Sequence, residues 1–150
     1  MNTNHVGDIA EQAVILRSLE FGWGVCRPIG NGLAYDLILD VKNSTLARVQ
    51  VKSGWLDEVS GSFVTDNRRT KTNRRQMVRD NYGIRDFDFA VVYLPIIKVF
   101  YIIPVELFIE YGSSISFVEN EKRQRRPRSA ANRNCWQLIE KWAAQMETSV

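Results

Sequence analysis

The 150 residues of this chain are 45% hydrophobic and 25% charged and carry a net charge of +3, which is typical of one soluble domain over residues 1–150. Its apolar runs are too short to cross a bilayer, and the polar start MNTNHVGD is unlike a signal peptide. The single histidine, His5, argues against a histidine-based zinc site and a Ser-His-Asp triad. Cys26 and Cys135 lack metal-ligand spacing and are expected to be reduced thiols of a cytoplasmic protein.

An amphipathic helix is predicted for residues 5–21, where apolar side chains recur at the spacing of a helix. The glycines of GWG, residues 22–24, end it. Asp8 and Glu11 have the D-x-x-E spacing of a capping box. Glu11 has a second interpretation, as a carboxylate that the helix directs toward the strands that follow. Residues 23–28 are predicted to be a short strand or an extended link.

Residues 35–54, YDLILDVKNSTLARVQVKSG, are predicted to form a β-hairpin, because two β-rich runs flank the turn-forming residues KNST. If Asn43 is the centre of the turn, residues equally distant from it face each other across the hairpin. The facing apolar pairs are then Tyr35 with Val51, Leu37 with Val49, and Leu39 with Ala47. A shift of this register by one residue would break the apolar face, so the hydrophobic pattern favours this alignment.

The opposite face of the hairpin carries Asp36, Gln50 and Lys52, because side chains alternate between the two faces of a sheet. An acid, a second oxygen ligand and a lysine at this spacing are typical of a site that cleaves phosphodiesters. The oxygen atoms hold a hard cation such as Mg²⁺, which polarises the phosphate and lowers the pKa of a bound water. The lysine stabilises the developing charge. An ordinary amphipathic hairpin is the alternative, since such short patterns are common.

The rest of the chain is predicted to alternate strands with two helices, which is an α/β pattern. Strands are predicted at residues 61–65, 87–94, 99–103 and 113–118, and helices at residues 105–111 and 135–146. The polar segment 68–85 is predicted to be a loop that leads into a short helix near Met77, and residues 122–133 to be irregular. Asn132 or Asn134 is expected to cap the last helix. The apolar stripe of that helix contains Trp136, Ile139, Trp142, Ala143 and Met146.

The basic residues are concentrated in two segments. Residues 68–85 contain seven basic residues and one acid, and residues 122–133 contain six basic residues and no acid, so the rest of the chain has 7 basic and 16 acidic residues. Two such patches indicate a polyanionic partner and favour a nucleic acid. The predicted DNA-binding residues are Arg68, Arg69, Lys71, Arg74, Arg75, Arg79, Arg125, Arg126 and Arg128. A solvated charge run or a disordered basic tail is the alternative.

The order of Glu11 on a helix, Asp36 at the start of a strand and Gln50-Val51-Lys52 on the next strand resembles the PD-(D/E)XK nuclease superfamily. The resemblance implies a restriction-endonuclease-like fold, with a mixed central sheet flanked by helices. It implies that Asp36, Glu11 and the backbone carbonyl of Val51 hold Mg²⁺ or Mn²⁺, that Gln50 takes the middle acidic position, and that Lys52 is the catalytic lysine. Two departures are Tyr35, where the motif names proline, and the neutral Gln50.

The whole chain resembles the homing endonucleases of this fold that bacterial group I introns encode. That resemblance implies sequence-specific cleavage of double-stranded DNA by a homotetramer, a dimer of dimers. A partly apolar surface is expected to pair the subunits, formed by Phe108, Trp136, Trp142 and Met146. The strands FDFAVVYL and KVFYIIP resemble the archaeal Holliday junction resolvase branch, so a structure-specific nuclease is an alternative. A DNA-binding protein with an inactive nuclease core is a second alternative, which the set of four site residues argues against.

Overall fold

The structure is a computed structural model that describes residues 3–42, 44–72, 77–119 and 126–148. Its helices are α1 (Thr3–Glu20), α2 (Val105–Glu110) and α3 (Gln137–Thr148), with a 3₁₀ helix at Arg128–Asn132. Its strands are β1 (Gly24–Cys26), β2 (Leu37–Lys42), β3 (Thr45–Ser53), β4 (Trp55–Leu56), β5 (Phe63–Asp66), β6 (Arg69–Thr72), β7 (Met77–Asp80), β8 (Phe89–Leu94), β9 (Val99–Pro104) and β10 (Ser114–Phe117). None of the helices in these ranges has the length and apolarity needed to cross a membrane.

The central sheet has five strands in the order β1-β2-β3-β8-β9, in which β3 and β8 are parallel and the other neighbours are antiparallel. One apolar cluster joins α1 and α3 to one face of this sheet, and a second joins α2, β5 and β10 to the other face. All six residues of β8 are therefore buried, as expected for a strand with both faces covered. The predicted mixed central sheet flanked by helices is confirmed.

The β2–β3 hairpin has the register that the apolar pattern predicts. Leu37 pairs with Val49 and Leu39 with Ala47, and these four side chains are fully buried against α1 and α3. The register shifts between Asp40 and Lys42, where the ladder reaches the turn. The predicted pair of Tyr35 and Val51 lies beyond the ladder, because β2 begins at Leu37.

The segment around Met77 is a strand, so the predicted short helix is wrong. Strand β7, Met77–Asp80, pairs antiparallel with β6, Arg69–Thr72, to form a two-stranded ribbon. Strand β6 contains two threonines and strand β7 contains a valine, and these β-branched residues favour the extended conformation over a helix. These residues, whose polar composition suggests a loop, therefore form a ribbon of two strands with no helical periodicity. We call β6 and β7 the basic ribbon.

The predicted helix caps are also wrong. Helix α1 begins at Thr3, so Asp8 and Glu11 lie inside it rather than at its start. Asn132 and Asn134 do not cap α3, because their side chains satisfy backbone groups of β9 instead. The Asn132 amide donates to the carbonyl of Ile102 at 2.9 Å, and the Asn134 carbonyl oxygen accepts from the backbone N–H of Phe100 at 3.0 Å.

The proposed apolar pairing surface is wrong for two of its four residues. Phe108 is 1% exposed and Trp136 is 4% exposed, so both belong to the core. Trp142 packs edge-on against Phe89, with 5.7 Å between the ring centroids, and is half-buried. Met146 remains exposed.

The basic segment 126–133 is more ordered than its composition predicts. Arg128 begins the 3₁₀ helix, and its guanidinium donates to the Glu110 carboxylate at 3.0 Å and lies 4.4 Å from the Tyr111 ring centroid. This side chain is held against α2 rather than on an irregular arm. Cys26 and Cys135 are free thiols, as expected.

Gly54 is predicted to tolerate no side chain. A Cβ atom at this position would lie 2.3 Å from Cδ2 of Leu94 and 3.3 Å from the carbonyl oxygen of Val64. Leu94 is fully buried, so its side chain has no free space in which to turn away. Gly54→Ala should lower the free energy of unfolding by about 1–3 kcal/mol, measured by urea denaturation. Gly32→Ala is the matched control with a small effect, because nothing lies within 4 Å of its Cβ position.

Candidate active site

A cleft of about 830 Å³ opens where β2 begins and β3 ends. It is lined by Glu11 of α1, Arg27, Pro28, residues 30–36, Gln50 and Lys52 of β3, Arg69 of β6, and Tyr82. The four side chains predicted to carry the chemistry, Glu11, Asp36, Gln50 and Lys52, therefore all lie in one cleft. The hairpin register brings three of them together, and packing of α1 against β3 adds the fourth.

Asp36 lies directly before β2 and continues the hairpin ladder with its side chain. Its backbone N–H donates to the carbonyl of Val49 at 2.9 Å, and its carboxylate accepts from the backbone N–H of Val51 at 2.8 Å. Burial raises the pKa of the Asp36 carboxyl, while the Val51 hydrogen bond and the charge of Lys52 act in the opposite direction. The carboxylate is thus held rigidly in a place where its negative charge is poorly solvated.

Glu11 reaches the cleft from the third turn of α1. Its carboxylate forms an ion pair with Nε of Arg27 at 3.2 Å, and its side chain is 28% exposed. Burial and then the negative charge of Asp36 raise the pKa of Glu11, against the opposing effect of Arg27. Two carboxylates that repel each other in a partly buried cleft favour the binding of a cation between them.

Gln50 and Lys52 project from β3 into the same cleft. Gln50 is 9% exposed, and its side-chain N–H donates to the carbonyl of Val51 at 3.2 Å. The ammonium of Lys52 donates to the carbonyl of Arg68 at 2.9 Å and lies 5.0 Å from the ring centroid of Tyr82. The lysine is therefore fixed at the base of the basic ribbon.

The donors in this cleft fit a hard divalent cation. The carboxylates of Asp36 and Glu11 supply oxygen ligands of the kind that Mg²⁺ and Mn²⁺ prefer. The carbonyl oxygen of Val51, the third predicted ligand, accepts a hydrogen bond from the Gln50 amide at 3.2 Å. Within the described ranges, no three His, Cys, Asp or Glu side chains cluster as a metal site. Gln50, which takes the middle acidic position of the motif, is neutral. Among the described residues that line the cleft, the negative charge therefore comes from Asp36 and Glu11.

The sequence did not point to two residues that contact the predicted site side chains. Arg27 follows β1 and pairs with Glu11, and Tyr82 follows the basic ribbon and faces Lys52. Neither belongs to the E…D…QxK order, and both reach the cleft from outside the hairpin. An arginine directly after a short strand and a tyrosine after a basic run give no signal that would mark them.

The predicted DNA-binding residues occupy different environments. The Arg68 guanidinium makes two 3.0 Å contacts with the Asp66 carboxylate, and Arg69 lines the cleft and donates to the carbonyl of Gly32 at 3.1 Å. Lys71 and Arg79 lie on β6 and β7, and Arg126 is exposed. Arg74, Arg75 and Arg125 lie outside the described residues.

Comparison with known proteins identifies the family. A model of the PD-(D/E)XK endonucleases matches residues 1–139. The chain belongs to the PD-(D/E)XK endonuclease family. This endonuclease is also similar to the solved structure of a bacterial homing endonuclease, I-Ssp6803I, with 53% sequence identity and a TM-score of 0.88. The match covers 97% of this chain and 99% of that one. A comparison with curated proteins gave no match.

The partly buried carboxylate of Asp36 is expected to destabilise the fold of this endonuclease at neutral pH. The pKa of Asp36 is raised above 3.8 in the folded state, so the protonated form is favoured by folding and the ionised form is disfavoured. Asp36→Asn keeps an acceptor for the Val51 N–H and removes the charge. The variant should therefore have the higher melting temperature at pH 7 in the presence of a chelator.

This stability difference should depend on pH with a defined sign. It should be absent below the ordinary carboxyl pKa of 3.8, grow as the pH rises through the raised pKa, and stay constant above it. Thermal denaturation of both proteins from about pH 3, below the ordinary carboxyl pKa, to about pH 8 measures it. Glu106→Gln, at an exposed carboxylate of α2, is the control. A wild-type protein that is the more stable at neutral pH would contradict the prediction.

Proposed function

We propose that this protein is a cytoplasmic homing endonuclease that hydrolyses both strands of a specific DNA sequence with Mg²⁺ or Mn²⁺, and so promotes the mobility of a group I intron. The observation that carries the proposal is the 53% identity to a bacterial homing endonuclease over 97% of this chain. At this identity, and with nearly complete coverage of both chains, a shared activity is the simplest expectation. The composition of the cleft described above supports the same chemistry.

In this proposal each cleft residue has a defined role. Asp36, Glu11 and the carbonyl of Val51 hold the cation, which when bound polarises the scissile phosphate and lowers the pKa of a water. The Val51 N–H fixes the Asp36 carboxylate at 2.8 Å, so this ligand is oriented before DNA arrives. Lys52 supplies a positive charge that orients the attacking water and stabilises the charge that develops on phosphate. Gln50 offers a neutral oxygen in the middle acidic position.

The basic ribbon is proposed as the main DNA-contacting element. The major groove of DNA accommodates a two-stranded β-ribbon, and this ribbon adjoins the cleft through Arg69. The proposed DNA-contacting residues are Arg68, Arg69, Lys71 and Arg79 on or beside the ribbon, Arg74 and Arg75 between its two strands in sequence, and Arg125, Arg126 and Arg128 as a second group. Arginine can bind guanine through two hydrogen bonds, whereas other basic contacts hold phosphates. Arg68 would have to break its ion pair with Asp66 before it could bind DNA, so Arg69 is the better candidate for direct contact.

A homotetramer, formed as a dimer of dimers, is proposed as the active assembly. One cleft per chain cuts one strand, so a double-strand break needs two subunits related by a two-fold axis. Because Phe108 and Trp136 are buried, other apolar side chains must form the interfaces. Exposed apolar residues on α1, namely Ile9, Leu16 and Leu19 at 42%, 62% and 54%, are available for this purpose. A stable monomer at micromolar concentration in sedimentation experiments would contradict the proposed assembly.

A plasmid library digestion tests the activity. Purified protein is incubated with Mg²⁺ and a library of random inserts, and the cut ends are sequenced. Discrete double-strand cuts at one related sequence are expected, with Asp36→Ala as the inactive control. Cutting confined to four-way junctions would favour a junction resolvase instead, and the absence of any cutting with either Mg²⁺ or Mn²⁺ would overturn the proposal.

A further inference from the structure

The two ends of the basic ribbon meet at the ammonium of Lys52. Arg68, directly before β6, accepts a hydrogen bond from the ammonium at 2.9 Å through its backbone carbonyl. Tyr82, two residues after β7, places its ring centroid 5.0 Å from the same nitrogen. A cation within about 6 Å of an aromatic ring centroid is attracted by the negative face of the ring. Both ends of the ribbon therefore hold one charged atom of the cleft.

Tyr82 is held in this position by the core. Its ring is 8% exposed and packs edge-on against Phe87 at 5.2 Å and Phe108 at 6.0 Å, measured between centroids. Phe87 and Phe108 are themselves buried and contact each other at 5.4 Å. The tyrosine ring cannot turn away from Lys52 without opening this aromatic cluster, so the ring is a fixed wall of the cleft.

Arg68 is held by Asp66. The Asp66 carboxylate accepts from the backbone N–H of Arg68 at 2.9 Å and from its guanidinium at 3.0 Å through each of two nitrogens. These three hydrogen bonds hold Arg68 against Asp66. The carbonyl of Arg68, which belongs to the next peptide unit, accepts from Lys52. The base of the ribbon is thus rigid on both sides of the lysine.

We propose that Tyr82 is a positioning residue for phosphodiester hydrolysis, which together with the Arg68 carbonyl holds the Lys52 ammonium in the cleft. The inference rests on the proposed function, because it takes Lys52 as the catalytic lysine. The basic ribbon, which is proposed to contact DNA, then also determines the position of Lys52. Loss of the ring removes one of the contacts that hold a side chain with four rotatable bonds, so the ammonium occupies its productive position less often.

Two substitutions of Tyr82 separate the ring from its hydroxyl. Tyr82→Phe keeps the ring face, whereas Tyr82→Leu removes it and retains an apolar side chain. In single-turnover cleavage, Tyr82→Leu should be at least about tenfold slower than wild type, and Tyr82→Phe within about twofold of it. The dissociation constant for DNA should stay within about twofold for both, because the lysine acts on the reaction rather than on binding. Equal losses in the two variants, or a loss of affinity as large as the loss of rate, would overturn the proposal.

A matched control addresses stability. Phe87→Leu weakens the same aromatic cluster without removing a contact to Lys52. Because Phe108 still packs against the Tyr82 ring, the variant should lower the melting temperature and keep the cleavage rate. A cleavage rate as low as that of Tyr82→Leu would show that the cluster acts only through the fold, and would overturn the proposal. Asp66→Asn is a second variant, since it weakens the support of Arg68, and it should also slow cleavage without weakening DNA binding.

A spectroscopic measurement tests the contact independently of cleavage. The chain has six lysines, so the ε-methylene signals of ¹³C-labelled lysine are resolvable, and Lys52→Arg assigns the signal of interest. The Tyr82 ring should move that signal upfield. Tyr82→Leu should remove the upfield shift and Tyr82→Phe should keep it, whether or not DNA is cut. A Lys52 signal that does not change in Tyr82→Leu would overturn the positioning role, whereas a cleaving Lys52→Ala variant would overturn the proposed function of the cleft instead.

Discussion

Asp36→Ala and Lys52→Ala are each expected to lower the rate of DNA cleavage by at least about 100-fold, which corresponds to about 3 kcal/mol of lost transition-state stabilisation. Asp36 is the carboxylate that the Val51 N–H fixes in the cleft, and Lys52 is the cation held by Arg68 and Tyr82. Removal of either group leaves the basic ribbon unchanged. Affinity for DNA should therefore stay within about threefold of wild type, because phosphate contacts by lysine and arginine supply most of it.

Single-turnover cleavage and a gel shift without divalent cation measure the two quantities separately. The hairpin offers matched controls in Asp40→Ala and Lys42→Ala, which change the same residue types on β2 at positions that do not line the cleft. Both control variants should cleave at nearly the wild-type rate. If Asp36→Ala and Lys52→Ala lost binding and cleavage to the same extent, the two residues would serve DNA binding rather than chemistry.

The hairpin part of the site was predictable because one physical constraint decides it. Side chains alternate along a strand with a period of two, and the apolar residues of β2 and β3 must face α1 and α3. When Leu37 pairs with Val49, the alternation of side chains places three polar residues together on the opposite face, namely Asp36, Gln50 and Lys52. The strands of the central sheet were predictable for a related reason, since β8 is a continuous apolar run that only a strand covered on both faces can bury.

Arg27, Tyr82 and the true partners of Asn132 and Asn134 were not predictable, because each depends on a contact between distant segments. Asn134 matches the sequence preference for a helix cap, yet its side chain accepts from Phe100, 34 residues away. No local pattern can decide between these two partners. The ribbon strand at Met77 has a similar cause, because four residues that pair with another short strand lack the length for a clear period.

The burial of Phe108 was missed because α2 is a helix of only six residues, Val105–Glu110. This short helix presents four apolar residues around its axis, and the sequence does not tell which of them face the sheet. Which side chain of α2 contacts Tyr82 and Phe87 depends on how the helix packs against β8 and β9. The same packing that hides Phe108 from a partner subunit fixes the Tyr82 ring beside Lys52.

Phe108→Ala is accordingly expected to lower the free energy of unfolding by about 3–5 kcal/mol, as do other substitutions that empty a buried aromatic site. Phe108 is 1% exposed and makes edge-on contacts with Phe87 and Tyr82, so the cavity cannot be filled without moving both rings. Urea denaturation measures the loss. Ile109→Ala, on the next residue of the same helix with 37% exposure, should cost less than about 1.5 kcal/mol.

Protein concentration distinguishes a core residue from an interface residue in this experiment. For a residue buried within one subunit, the difference in unfolding free energy between Phe108→Ala and wild type should be the same at low and high protein concentration. A residue that stabilises only the assembly would instead lower the assembly constant, and its effect would disappear on dilution to monomers. If the difference in unfolding free energy depended on protein concentration, and Phe108→Ala dissociated in sedimentation experiments, Phe108 would be an interface residue. That result would contradict its place in the core.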